Sequence, residues 1–284
     1  MSVKKYLSKI ETFQGQTIII TGCTAGIGLS LAKHLVSKDA NIVMLARNIS
    51  KANKVREELL AINKNVKIDI VHYDQSDYEL IDSAIKEIKE KYHHFDALVA
   101  NAGILYPPKG ELSKQGHPLT IETNYLGLKR FLDGIIPSFH HKRYVMHGSL
   151  AAGFYMSKKV DIYNNNYSLF KQYNTSKACV EALWHYYLIN NIDNELILTE
   201  PGVTSSDIFR NFPWFLRVIG KWVVSIFSHS VDKAALSMLK ALTKDSKNGD
   251  YLVPRGPLTV WGYPTYKKFP HTRIREFLIK NTRN

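Results

Sequence analysis

The chain lacks the features that mark disulfide-rich, zinc-binding and membrane-spanning proteins. Its 284 residues include only two cysteines, Cys23 and Cys179, too few for a disulfide scaffold or a four-cysteine zinc site. The 11 histidines show no HExxH or other metal-ligand spacing, so we expect no metal. Since no run of about 18 apolar residues occurs, we also expect no membrane-spanning helix.

Residues 1–14 lack the apolar core and the small-residue cleavage site of a signal peptide. With so few cysteines, this predicts a protein of a reducing compartment, the cytoplasm. Counts of 16 Gly and 10 Pro are ordinary, and 45% of the residues are hydrophobic, which excludes collagen-like and disordered chains. The length suits one large domain, or two small ones, with a buried core.

Acidic residues are the minority among the charged ones, with 25 Asp and Glu against 38 Lys and Arg and a net charge of +13. Such an excess attracts polyanions: nucleic acid, anionic lipid or a phosphorylated cofactor. No zinc-finger, helix-turn-helix or RNP-type pattern is present. We therefore predict a basic surface rather than a nucleic-acid partner.

Short apolar runs alternate with amphipathic stretches, and this alternation predicts the fold. Strands are predicted at 17–21, 41–45, 66–71, 95–100, 143–147 and 195–199. Helices are predicted at 27–36, from a cap at Ser50 to about 62, from Ser76 or Asp77 onward, and at 173–189. Such alternation implies right-handed βαβ units, so we predict an α/β fold: a single domain with a doubly wound parallel sheet of the Rossmann type.

A glycine-rich loop joins the first predicted strand to the first predicted helix. It reads Thr21-Gly22-Cys23-Thr24-Ala25-Gly26-Ile27-Gly28. Three glycines let the backbone turn tightly and approach a pyrophosphate at the positive end of the helix. An ordinary glycine-rich turn is the alternative, and the position between strand and helix favours cofactor binding.

Further motifs follow the glycine loop in a fixed order. They are Asn101-Ala102-Gly103 after the fourth strand, Asn124 in Asn124-Tyr125-Leu126-Gly127, Ser149 after the fifth strand, Tyr173-Asn174-Thr175-Ser176-Lys177, and Pro201-Gly202-Val203-Thr204 after the sixth strand. With TGxxxGIG in the loop, NAG after the fourth strand and YxxSK on a helix, the chain resembles the classical short-chain dehydrogenase/reductase family over about residues 15–265.

The chemistry of this set is plausible in its own right. Tyr173 and Lys177 are one helical turn apart and share a face. A tyrosine with a pKa of about 10 is a poor base at neutral pH, but a neighbouring ammonium favours the phenolate. Tyr173 can then exchange a proton with a carbonyl or an alcohol, while Ser149 holds the substrate oxygen. The resemblance implies that Lys177 also binds the nicotinamide ribose and that Asn124 positions a water for a proton relay.

The resemblance also implies a nicotinamide cofactor. The predicted contacts are Thr21, Gly22, Thr24, Gly26, Ile27, Gly28, Arg47, Asp74, Asn101, Ala102, Gly103, Tyr173, Lys177, Pro201, Gly202, Val203 and Thr204. NAD enzymes usually place an acid at the end of the second strand, where this chain has Ala46 and then Arg47, whose guanidinium suits a 2′-phosphate. We therefore predict NADP rather than NAD, the alternative being a solvated Arg47. Asp74 resembles the residue that contacts adenine and could equally cap the next helix.

Four further regions narrow the predicted substrate within the family. The long stretch between Ser149 and Tyr173, together with 249–254 and 261–264, resembles the retinol dehydrogenase and protochlorophyllide reductase branch, which implies a lipophilic carbonyl or alcohol. Residues 209–227 are too apolar for a solvated loop, and we predict a small helical lid over the substrate at about 205–230. Core packing, a partner subunit in a homo-oligomer and peripheral contact with a membrane remain alternatives.

The predicted organisation is an extension at 1–14, a domain at 15–265 and a basic tail at 266–284. The predicted function is an NADP(H)-dependent oxidoreductase that interconverts a carbonyl and an alcohol on an apolar small molecule. A non-catalytic NADP-binding sensor or scaffold and a nucleotide-sugar epimerase are the alternatives. The complete Asn, Ser, Tyr and Lys set argues against a sensor, and the glycine spacing argues against an epimerase.

Overall fold

A computed structural model describes residues 1–154, 161–190, 193–204 and 230–270. The strands are β1 (Thr17–Thr21), β2 (Asn41–Ala46), β3 (Ile68–His72), β4 (Ala97–Ala100), β5 (Arg143–His147), β6 (Glu195–Thr199), β7 (Tyr251–Pro254) and β8 (Pro264–Lys267). They form one sheet in the order β3-β2-β1-β4-β5-β6-β7-β8. The predicted α/β fold of the Rossmann type is confirmed.

Helices cover the sheet. They are α1 (Val3–Leu7), α2 (Gly26–Val36), α3 (Ile49–Ile62), α4 (Tyr78–Lys91), α5 (Leu119–Ile121), α6 (Gly127–Ile135), α7 (Leu169–Asn190), α8 (Val231–Ala234) and α9 (Leu236–Ala241). A π-helical turn, Glu122–Leu126, joins α5 to α6. In the described part of the chain, no helix combines the length and the apolar character that crossing a bilayer requires.

The isoleucine run in β1 explains why both faces of the sheet are covered. Neighbouring side chains on a strand point to opposite faces. Ile19 lies in the core formed with α4, α6 and α7, whereas Ile18 and Ile20 lie in the core formed with α2, α3 and α9. A continuous apolar strand is therefore buried from both sides, as expected of a parallel sheet.

The strand order reverses beside β1, because the chain runs outward to β3 on one side and to β4 on the other. A crevice forms at such a switch point, outside the carboxyl ends of the strands. The predicted site motifs follow β1, β4, β5 and β6 at this edge, so the topology brings together segments that are distant in sequence.

The structure departs from the predicted pattern at β8 and at the cap of α3. β8 runs antiparallel to β7, since a short connection joins the two strands and cannot provide a parallel crossover. α3 is capped by Asn48, whose side chain accepts from the Lys51 amide at 2.8 Å. The predicted cap, Ser50, is thus wrong and lies in the first turn. Of the three residues considered as caps for α4, namely Asp74, Ser76 and Asp77, Asp77 is the one observed.

The described parts of both terminal segments pack on the domain. Phe13 is buried, and the rings of Tyr6 and Tyr263 stack with centroids 5.2 Å apart. At the other end, Phe269 packs against Trp184 and Tyr251. The predicted lid, apart from its last position, and residues 271–284 lie outside the described residues.

Candidate active site

The glycine loop is shaped by two close backbone approaches. A Cβ on Gly22 would lie 2.8 Å from Cα of Ala102, and one on Gly28 would lie 2.4 Å from Nδ2 of Asn101. These glycines are therefore required by packing between the loop after β1 and the loop after β4. Gly26 differs, since its φ is 56° and a Cβ there would meet no protein atom within 4 Å.

The open side of Gly26 coincides with the start of α2. Ala25 occupies the N-cap and makes no side-chain capping hydrogen bond. The amides of a helix's first turn have no partner inside the helix and attract anions. Space and positive backbone potential thus occur together, as a pyrophosphate requires.

Thr21 and Asn101 lock the two loops together. The Thr21 hydroxyl accepts from the amides of Asn101 at 3.0 Å and Ala102 at 2.9 Å. The Asn101 side chain donates to the carbonyl oxygens of Thr21 and Gly22 at 3.0 and 3.1 Å. Because Thr21 is fully buried, its observed role is to shape the loop, and its cofactor contact stays a prediction.

Arg47 and Asp74 lie together at the end of β2 and beyond β3. Arg47 Nε is 3.7 Å from Asp74 Oδ2, and the arginine side chain is 74% exposed. Asp74 also accepts from the amide and the hydroxyl of Ser76 at 2.9 and 2.8 Å, so it forms a local turn while Asp77 caps α4. An ion pair this exposed is weak, and the guanidinium can exchange partners.

Asn124 sits in the π-helical turn, which is closed by a hydrogen bond from the Gly127 amide to the Glu122 carbonyl. Its Oδ1 accepts from the Ile104 amide at 2.8 Å. Its Nδ2 donates to the Ile104 carbonyl at 3.0 Å and to the Ser176 hydroxyl at 2.9 Å. π-Turns occur often at functional sites. Here the turn fixes Asn124 between the loop after β4 and helix α7.

The buried side chain of Gln75 supports this turn. Nε2 donates to the carbonyl oxygens of Thr123 at 2.5 Å and Ala102 at 3.3 Å, and Oε1 accepts from Tyr73 at 3.0 Å. Its own carbonyl approaches Gly127 so closely that a Cβ there would lie 1.7 Å away. Gln75 therefore ties the Asn101-Ala102-Gly103 segment to the turn around Asn124, although no spacing in the sequence marks it.

Tyr173 and Ser149 meet at the start of α7. A hydrogen bond joins their side chains, and it lowers the Tyr173 pKa, but burial outweighs it and the pKa is raised overall. Ser149 also accepts from the Ala151 amide at 3.2 Å, which orients its hydroxyl. The ring of Tyr106 lies 6.2 Å from that of Tyr173, tilted by 68°. Tyr106 has a φ of 53°, a conformation that is uncommon outside glycine.

Lys177 lies one turn further along α7 and is buried. Its Nζ donates to the His147 carbonyl at 2.9 Å. Burial lowers the Lys177 pKa to about 8, and the carboxylates of Glu181 and Glu200 oppose this. Burial also lowers the His147 pKa to about 3. The lysine is therefore charged near neutral pH while the histidine ring beside it is neutral.

The segment Pro201-Gly202-Val203-Thr204 packs on the connection between β7 and β8. Gly202 has a φ of 73°, and a Cβ there would lie 2.4 Å from the Val260 carbonyl oxygen. The same oxygen accepts from the Val203 amide at 2.8 Å. This contact holds the predicted cofactor segment at the carboxyl end of β6.

The geometry brings the predicted catalytic residues to one edge of the sheet. Sequence reasoning missed four side chains around them: Tyr106, Gln75, Glu181 and Glu200. A signal did exist for two, because Glu181 shares a helix face with Lys177 and Glu200 directly follows a buried strand. Within the described ranges, no group of three or more His, Cys, Asp or Glu side chains is arranged to hold a metal ion.

Comparison with known proteins identifies the family. The sequence profile described as short chain dehydrogenase matches residues 16–212. The chain belongs to the short-chain dehydrogenase family. As a member of this family, it is an NAD(P)-dependent oxidoreductase.

Two curated relatives cover most of this dehydrogenase. An uncharacterized oxidoreductase of Schizosaccharomyces pombe is 28% identical over 267 residues, with 85% of this chain and 78% of the relative covered. The human polyprenol dehydrogenase is 25% identical over 244 residues, with 81% and 73% covered.

Solved structures confirm the fold. The gluconate 5-dehydrogenase from Burkholderia cenocepacia in complex with NADP and tartrate has a TM-score of 0.69 at 20% identity, covering 87% of this chain and 96% of that one. The L-sorbose reductase from Gluconobacter frateurii complexed with NADPH and L-sorbose has a TM-score of 0.65 at 17% identity, covering 84% and 95%. At such identities the likeness concerns the fold alone.

Proposed function

We propose that this short-chain dehydrogenase uses NADP(H) to interconvert a carbonyl and an alcohol on an apolar small molecule, with Tyr173 as the general acid and base. The observation that carries the proposal is the junction of Ser149, Tyr173 and Lys177. The serine hydroxyl bonds to the phenol, and the buried lysine lies one turn along the same helix.

The residues present fit a phosphorylated dinucleotide. The open side of Gly26 and the uncapped start of α2 suit the pyrophosphate. Arg47 suits a 2′-phosphate, since its guanidinium is exposed and lies just beyond Ala46 at the end of β2. Thr24, Ile27 and Gly103 are proposed as further contacts. A nicotinamide cofactor held there would supply or take up the hydride.

The protein's own part of the reaction is the movement of a proton. During reduction, the Tyr173 hydroxyl gives its proton to the carbonyl oxygen, and Ser149 donates a hydrogen bond to that oxygen. The charge on Lys177 stabilises the phenolate that remains. Asn124 donates a hydrogen bond to the Ser176 hydroxyl on α7 and is proposed to hold the water that returns the proton. Oxidation of an alcohol reverses these steps.

An apolar substrate is favoured by the aromatic side chains near Tyr173. Tyr106 contacts the ring of Tyr173, and Phe170, one turn before it on α7, is 54% exposed. Aromatic rings bind apolar surfaces through their large contact area. The resemblance to the retinol dehydrogenase branch and the relation to a polyprenol dehydrogenase point the same way.

We also propose a cytoplasmic location with peripheral contact to a membrane, and self-association as a homo-oligomer. The net charge of +13 would draw the protein to anionic lipid. An apolar substrate would partition into the bilayer, so contact with a membrane would bring the enzyme to it.

The test is a screen of aldehydes, ketones and alcohols with NADPH or NADP, read by absorbance of the reduced nicotinamide. Long-chain and short-chain members of each class are compared, and Tyr173→Phe serves as the inactive control. We expect turnover of apolar compounds that is lost in the variant. NADPH binding without turnover of any compound would favour the sensor or scaffold.

A further inference from the structure

We propose that Glu181 and Glu200 are positioning residues of the active site: two buried carboxyl groups near Lys177 that keep its side chain in the charged form. The proposal rests on the proposed function, because the charge on Lys177 matters to catalysis only if Tyr173 exchanges the proton. Neither glutamate belongs to the motifs by which the family was recognised.

The first carboxyl group lies on α7 itself. Lys177 and Glu181 are four residues apart, so they lie on one face of the helix, and both are buried. Nζ of Lys177 reaches the carbonyl of His147 at 2.9 Å. Oε1 of Glu181 lies 3.7 Å from the position that a Cβ on Gly148 would take. The ammonium and the carboxylate thus reach consecutive residues at the end of β5.

The second carboxyl group arrives from β6. Thr199, its last residue, is the register partner of His147, and the Thr199 carbonyl accepts from the Gly148 amide at 2.8 Å. Glu200 therefore leaves the sheet beside the same two residues. Its Oε1 accepts from the Tyr251 hydroxyl at 2.5 Å. A hydrogen bond donated to a carboxylate favours its ionised form, so Tyr251 helps to keep this group negative.

The balance of charge around Lys177 gives the glutamates their role. Burial lowers the Lys177 pKa to about 8, and Glu181 and then Glu200 raise it. The titratable groups near this junction in the described residues are Tyr106 and Tyr173 at the start of α7, His147 on β5, Tyr251 on β7, Glu200 after β6, and Glu181 and His185 on α7. Among these groups, the two carboxyl groups are the ones that raise the Lys177 pKa, since the His147 ring is neutral and burial favours the protonated phenol of Tyr173.

The sign of the expected effect follows. A nearby carboxylate stabilises the ammonium, so its removal lowers the Lys177 pKa, by about one unit. Lys177 then loses its charge at a lower pH, and Tyr173 loses the partner that stabilises its phenolate. The pH above which carbonyl reduction declines should shift downward by the same amount.

The experiment reads Lys177 directly, without substrate. The full chain is prepared with isotope-labelled lysine, and the Lys177 signal is identified in the NMR spectrum by its absence from Lys177→Arg. Glu181→Gln and Glu200→Gln are then titrated with pH beside the parent protein. Glu195→Gln is the matched control, because Glu195 is on the same strand β6 but pairs with Arg143 at the opposite end, 2.6 Å away.

We expect the pH midpoint of the Lys177 titration, the Lys177 midpoint, to fall in Glu181→Gln and Glu200→Gln and to stay unchanged in Glu195→Gln. Glu200→Asp keeps the charge, so its Lys177 midpoint should lie closer to the parental value than that of Glu200→Gln. A purely structural role of Glu200 would not distinguish Asp from Gln. If a Gln variant does not fold, Tyr251→Phe tests the same link, since loss of the phenol should lower the midpoint while the carboxyl group stays in place.

A Lys177 midpoint that stays at the parental value in every folded variant overturns the inference. The pH profile of carbonyl reduction is then measured in the same variants. A shifted lysine midpoint in a protein that reduces no carbonyl would leave the inference standing and refute the proposed function. Normal turnover with an unshifted Lys177 midpoint would support the proposed function and overturn the inference.

Discussion

Lys177 Nζ donates a hydrogen bond of 2.9 Å to the main-chain carbonyl of His147, so the proposed catalytic lysine contacts the backbone of a buried histidine whose pKa is strongly lowered. Burial and the charge of Lys177 lower the His147 pKa from 6.5 to about 3. Burial at this edge of the sheet thus keeps the His147 ring neutral in the folded protein.

The stability of the protein should fall on acidification because of His147. Below about pH 6.5 the unfolded chain binds a proton at this residue and the folded chain does not, so stability is lost as the pH drops towards about 3. At a pH about 1.5 units below the ordinary value, the loss is about 2 kcal/mol. Urea unfolding at about pH 7.5 and about pH 5 measures it.

His147→Gln should reduce this pH dependence by about 2 kcal/mol, because the variant has no ring to protonate. The exposed His93 provides the control, and His93→Gln should keep the parental dependence. Equal slopes for His147→Gln and the parent protein would show that another group causes the loss.

Tyr173→Phe should abolish most of the activity without loss of cofactor. The ring stays and only the proton donor is removed, so kcat should fall by about 10²–10⁴-fold, the range for general acid–base groups. Steady-state rates with a substrate from the screen and NADPH titration by fluorescence measure the two quantities. Tyr186→Phe, on the same helix, is the control and should keep the parental kcat. Parental turnover in Tyr173→Phe would remove this residue from the mechanism.

The features that were predicted from the sequence are local. The strand β1 is predicted from its run of isoleucines, and the shared helix face of Tyr173 and Lys177 from their spacing. Each prediction uses only a few neighbouring residues and a sequence period of 2 or 3.6. Even here, the cap of α3 was misplaced, because Asn48 and Ser50 are both good caps and the choice between them depends on how the chain leaves β2.

The features that could not be predicted depend on contacts between distant segments. Gln75 joins the loop after β3 to the π-turn through the Thr123 carbonyl, and Tyr106 reaches the ring of Tyr173 from the loop after β4. The antiparallel β8 is of the same kind, since its partner is decided by the path after β7. Such contacts are set by the topology of the sheet and leave no periodic signal.

Gly26→Ala should weaken cofactor binding more than it weakens folding. Gly26 and Gly15 both have positive φ, 56° and 80°, and a Cβ on either would meet no protein atom within 4 Å. An alanine should therefore destabilise the fold by a similar amount at both sites, about 1 kcal/mol. Only the Cβ at Gly26 would enter the space proposed for the pyrophosphate, with NADPH affinity falling by roughly tenfold or more, which corresponds to about 1.4 kcal/mol.

Thermal unfolding and NADPH titration of Gly26→Ala and Gly15→Ala separate the two effects. Equal losses of stability with a loss of affinity only in Gly26→Ala are expected. If both variants bind NADPH as the parent does, the pyrophosphate is not bound at this glycine.

The preference for NADPH should depend on Arg47. A hydrogen bond to a charged group contributes about 1.5–3 kcal/mol, so Arg47→Leu should weaken NADPH binding by roughly 10-fold to 100-fold and leave NADH binding nearly unchanged. Adding Ala46→Asp supplies a carboxylate for the ribose hydroxyls at the end of β2, and the double variant should bind NADH more tightly than NADPH. Arg56→Leu is the control, because Arg56 is a partly exposed arginine on the neighbouring helix α3 and should affect neither cofactor. Fluorescence titration of both cofactors into the four proteins decides the question, and tighter binding of NADH than of NADPH by the parent protein would refute the assignment of Arg47 to the 2′-phosphate.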